Sequence, residues 1–133
     1  MTNPKNPFSK PVKIRGSITA LSDGKFTISG HGGSNLKVDM GKVAVIKLDS
    51  IKLVVSEMSG PGHDPMVFRH IGLEPKDAKI VVVKSPVGFR AAYEPFAKEI
   101  ILTDTPGAAS SNLKSLKFRR RPKPLYPFED TGE

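Results

Sequence analysis

The sequence contains no cysteine and no tryptophan, and only three histidines in 133 residues. Without cysteine there is no disulfide framework, no thiolate-bound zinc and no thiol nucleophile. No apolar run approaches the roughly 18 residues that a spanning helix needs. The opening segment MTNPKNPFSKP is polar and proline-rich and lacks the apolar stretch of a secretory signal, so the expected location is the cytoplasm. Acidic residues are few, 13 against 21 basic ones, and the net charge is +8. With 12 glycines and 12 prolines, the chain is richer in turns than a helical bundle allows.

What remains suits one domain of ordinary apolar content, long enough to fold without a metal or a crosslink. Residues 1–11 read as an irregular leader. From residue 12 the period becomes two. Val12, Ile14, Ile18 and Ala20 alternate with Lys13, Arg15, Ser17 and Thr19, which predicts a strand with one buried and one wet, Lys-rich face. Ser22-Asp23-Gly24-Lys25 is a turn, and Phe26 and Ile28 start a return strand. Leu36, Val38 and Met40 alternate again. VAVIKL and IKLVV, separated by Asp49-Ser50, predict a tight hairpin. Residues 12–57 are therefore expected to form an antiparallel meander of about five strands.

The second half changes character. Asp64-Pro65 has the form of a helix cap followed by proline at the first helical position, and Gly72 is a natural stop. Lys79–Lys84 (KIVVVK) is a continuous apolar run of the kind buried on both faces, and Glu99–Thr103 reads as another strand. Between them, about Gly88 to Lys98, lies a helical stretch with Tyr93 and Phe96 as packing residues. Residues 79–104 thus predict a βαβ unit. The fold class is α+β: the meander, a short helix and the βαβ unit in a single domain over 12–113. An extended basic tail over 114–133 packs on or trails that domain.

Chemistry-bearing motifs are sparse. His31, His63 and His70 show no zinc-site spacing, and Asp64 reads as a helix cap. Ser85 follows an apolar strand, but no Gly-x-Ser-x-Gly elbow surrounds it. Gly30-His31-Gly32-Gly33 lacks the Lys-Ser/Thr ending of a phosphate loop. The tail cations Lys114, Lys117, Arg119, Arg120, Arg121 and Lys123, with Phe118 among them, are compatible with a small nucleic-acid-binding module. Nucleic acid is the disfavoured partner, because no recognition motif accompanies these charges. Lys84-Ser85 and Phe89-Arg90 stand where a strand meets a helix. They either face a ligand or an adjoining domain, or bond local carbonyls and carboxylates; a small enzyme built on Lys84, Ser85 and Arg90 is a third reading.

The segment KIVVVKSPVGFRAAYEPFAKEIILTDTPGA resembles the C-terminal domain of microcystinase C (MlrC)-type zinc metallopeptidases, a family named for degradation of microcystin-LR. TALSDGKF at residues 19–26, VDMGKVAV at 38–45, Asp64-Pro65, Arg119-Arg120 and Leu125-Tyr126-Pro127 agree with it, so the resemblance covers about residues 11–130. It implies a non-catalytic C-terminal domain that supports or completes a catalytic N-terminal domain in the same or a separate chain. Zinc is expected in that missing domain, with no cofactor here and with this chain inactive alone. Lys84, Ser85, Phe89 and Arg90 carry over as a candidate domain interface or pocket, and a homo-oligomer is the other expected assembly. The resemblance implies a histidine in many relatives where this chain has Gly88, and a tendency to tryptophan where it has Tyr126. The role of position 88 is therefore in doubt here.

Overall fold

The computed structural model describes residues 11–30, 35–85, 88–103, 113–115 and 117–129. Two compact units divide the chain: residues 12–100 form one, and the described residues from 101 onward belong to the other.

All strands lie in the first unit and all pair antiparallel: β1 (Ser17–Ser22), β2 (Lys25–Thr27), β3 (Lys37–Asp39), β4 (Val43–Leu48) and β5 (Ile51–Ser56). They form two sheets rather than one continuous meander. β1, β4 and β5 lie side by side with β4 in the middle, while β2 and β3 form their own ladder. VAVIKL, the most apolar of the five strands, takes the central place, where both of its edges find ladder partners. Asp49 begins the β4–β5 turn with φ +51°, a left-handed conformation that aspartate tolerates.

A bulge between Ile18 and Ala20 reverses the phase of β1. Ala20 therefore joins Val45 and Val54 on the inner face. Ile18 pairs with Ile46, and Ile46 with Leu53, on the outer face. Leu21, Ala44 and Val55 form a second outer row, and Leu48 opposite Ile51 extends it. The outer face is thus apolar, not the Lys-rich wet surface that simple alternation predicts. Lys47 and Lys52 pair with each other in the other phase, at the far end of the inner face.

The inner face carries the core. Val43 and Val45 are fully buried, and they cluster with Met40, Val67 and Ile71. Val67 and Ile71 come from the helix α1 (Met66–Arg69) and the turn after it, which ends at Gly72 with φ +79°. A second short helix, α2 (Arg90–Tyr93), is followed by turns held by hydrogen bonds from Phe96 and Ala97 to the Tyr93 carbonyl. The predicted helix over 88–98 is therefore formed in its first half and loosened where Pro95 removes a donor.

The βαβ unit is not formed as paired strands. Residues 79–85 and 98–103 form no regular secondary structure, and no strand pairs with them among the described residues. An apolar run becomes a buried strand only where a neighbour supplies ladder bonds and cover. Here Ile80 and Val82 remain more than four-fifths exposed. In the second unit a turn at 126–128 brings Phe128 edge-on to Phe118 at 5.3 Å, with the Arg121 guanidinium over the Phe128 ring and paired to Glu129. Among the described residues no helix is long and apolar enough to cross a membrane.

Candidate functional site

The best-organised polar centre is Asp64. Proline at 65 pre-sets the first helical turn, and Asp64 Oδ1 accepts the Met66 N–H at 2.8 Å, as a helix cap does. Its carboxylate reaches much further than its own helix. Oδ2 accepts the backbone N–H of Ser29 and of Gly30, each at 3.1 Å, and Oδ1 accepts the Ser29 hydroxyl at 3.2 Å. Four donors thus converge on one side chain that is only 1% exposed. Charge-assisted bonds of this kind offset the cost of burying a carboxylate. The effect is to pin the loop after β2 to the start of α1.

A second loop closes on the same region. Gly62 lies against the Lys84 backbone, where an added Cβ would stand 3.0 Å from the carbonyl oxygen. Gly88 lies against His63 and Ser85, with an added Cβ 3.3 Å from His63 Cβ and 3.7 Å from Ser85 Oγ. A side chain at position 88 would therefore crowd His63.

The four residues singled out in the sequence separate into two kinds. Phe89 is buried and packs; Tyr93, one turn later, is buried as well. Lys84 and Arg90 point outward, and Ser85 is half-buried. Arg90 approaches Glu94 at 3.6 Å on the helix surface, while no side-chain hydrogen bond joins Lys84 or Ser85 to another described residue. The Tyr93 hydroxyl is buried without a partner among the described residues. Burial, and then the nearby charge of Asp64, pushes its phenol well above the ordinary value.

Of the other candidate donors, Glu74 is paired, whereas His70 Nε2 is buried without a partner among the described residues. His70 Nδ1 lies 2.9 Å from the Met66 carbonyl, and its ring stacks on Phe26 at 4.7 Å between centroids. Glu74 receives a two-pronged contact from Arg69, at 2.8 and 3.0 Å. Among the described residues no three histidine, aspartate or glutamate side chains gather within reach of one metal ion. His31 and Gly32-Gly33 lie outside the described residues.

Residues 3–120 match the family described as MlrC C-terminus. The chain belongs to that family. It is also similar to microcystinase C of a Sphingomonas species, at 29% identity over 120 residues. That alignment takes in 90% of this chain but only 22% of microcystinase C. The MlrC C-terminus module seen here thus corresponds to about a fifth of the relative's length. Within it, the Asp64 staple to Ser29 and Gly30 escaped sequence reading, because the partners lie about 35 positions apart and no motif links them. The Asp-Pro step did announce the local cap.

Proposed function

We propose that this MlrC C-terminus module is the non-catalytic part of an MlrC-like zinc hydrolase, supporting a larger catalytic part that precedes it in relatives. The observation that carries this reading is the pairing of near-complete coverage of this chain with 22% coverage of microcystinase C. The side chains support it. Zinc wants three or four free nitrogen, oxygen or sulfur donors in one tight set. The Asp64 carboxylate already accepts four hydrogen bonds, Glu74 is held by Arg69, and no three potential ligands gather around His70 or elsewhere among the described residues. The described residues therefore do not fit a zinc site, and the metal belongs with the catalytic part. Lys84, Ser85 and Arg90, displayed around the buried Phe89 anchor, serve this reading as interface residues rather than as acid, base or nucleophile.

The test is metal content and peptide hydrolysis by the purified chain. Neither stoichiometric zinc nor turnover is expected from the chain alone, and both together overturn the proposal. The exposed cations Lys117, Arg119, Arg120 and Lys123 favour a second reading, a nucleic-acid-binding module. That reading requires oligonucleotide binding that falls steeply with salt and disappears when residues 114–133 are deleted.

A further inference from the structure

The three-stranded sheet is apolar on both sides, and among the described residues only one side is covered. Toward the core it presents Val43 and Val45, fully buried under α1. Toward solvent it presents two complete cross-strand rows, Ile18–Ile46–Leu53 and Leu21–Ala44–Val55, with no polar residue among them. Ile18 is 65% exposed and Leu21 75%.

A face of this composition is not a normal wet surface. Antiparallel sheets with one solvated side carry polar residues on it, and contiguous apolar patches mark places where another surface packs. A sheet apolar on both sides belongs between two layers. The described residues supply one of them. The absence of charge also sets the kind of interface, because surfaces that resemble a core cut in half belong to permanent rather than transient contacts.

We propose that the outer face of this sheet is the surface on which the larger catalytic part of an MlrC-like protein packs. The partner it fits presents an uncharged apolar layer. This inference rests on the proposed function and adds where the two parts meet. Two observations choose that occupant over a second copy of this chain. In microcystinase C most of the polypeptide lies outside the matched region, so a permanent cover travels in the same chain. Two copies of this chain would also bring together two net charges of +8.

The experiment mixes the full chain with microcystinase C truncated of its matched region, and reads complex formation by sedimentation velocity. The double substitution Leu21→Lys and Leu53→Lys is expected to weaken the complex at least 100-fold while leaving the melting temperature of the free chain unchanged. If that pair unfolds the free chain, Ile18→Lys replaces it. A complex that resists these substitutions overturns the placement of the interface and leaves the proposed function standing. No complex, together with an inactive fusion of the two parts, overturns the proposed function itself. A dimer of the free chain that the same substitutions dissolve overturns the choice of occupant.

Discussion

The Asp64 carboxylate holds Ser29 twice, through its backbone N–H at 3.1 Å and its hydroxyl at 3.2 Å, across 35 positions of sequence. It caps α1 at the same time. Replacing it by alanine would remove the shared acceptor of three backbone donors, of exposed Ser29 and half-buried Gly30 and Met66. At about 1.5–3 kcal/mol for a hydrogen bond to a charged group, Asp64→Ala is expected to cost at least 3 kcal/mol. Urea denaturation measures it; a loss under 1 kcal/mol removes Asp64 from its organising role.

Two glycines with similar backbones separate conformational strain from crowding. Gly24 has φ +70° and Gly72 φ +79°. A Cβ on Gly72 meets nothing within 4 Å, whereas one on Gly24 would stand 2.1 Å from the Gly41 carbonyl oxygen. Gly72→Ala is therefore expected to cost only the ~1–2 kcal/mol of a left-handed L-residue. Gly24→Ala is expected to cost clearly more, since backbone must move as well. Equal losses in thermal melts contradict this.

How the sequence relates to this structure is clearest in the same segments. Asp64-Pro65 and Gly72 marked the ends of α1 because caps and stops are local chemistry. VAVIKL and IKLVV marked β4 and β5 for the same reason: their β-branched content and the two-residue turn are local. The phase of β1 was hidden, because one extra residue at the Ile18–Ala20 bulge moves every later side chain to the other face. The strands predicted at 79–84 and 99–103 depend on a neighbour, and pairing is not written in the run itself. Of the candidate site, Tyr93 was visible as a packing residue, while the burial of Phe89, singled out only as an interface or pocket position, and the proximity of Gly88 to His63 and Ser85 needed the fold.

The Arg69–Glu74 pair predicts an acid-sensitive contribution. The Arg69 hydrogen bond holds the Glu74 carboxyl below its ordinary value, against a smaller opposing effect of desolvation. A lowered folded-state pKa means that the unfolded chain binds the proton first as pH falls. The stabilisation is therefore complete above the ordinary carboxylate range and lost as pH drops through the lowered value. Glu74→Gln is expected to melt below the parent protein at neutral pH and to converge with it in acid. A difference that persists unchanged into acid refutes the assignment.

Packing and display at the predicted interface should also separate. Phe89 is 6% exposed, and Phe89→Ala is expected to destabilise the free chain by about 3–5 kcal/mol. Lys84→Ala and Arg90→Ala, both on exposed side chains, are expected to stay within ~0.5 kcal/mol of the parent. If the two cations serve an interface, their loss shows only when the catalytic part is present. A large destabilisation of the free chain by Lys84→Ala would assign that residue to internal structure instead.

On the proposed function, catalysis resides outside this chain and this chain completes it. Peptide hydrolysis by microcystinase C truncated of its matched region, with and without added chain, tests it most directly, with zinc measured in each component. No zinc and no turnover are expected in the chain alone, with weak turnover by the truncated enzyme and recovery when the two are mixed. Stoichiometric zinc and turnover in the chain by itself would contradict it.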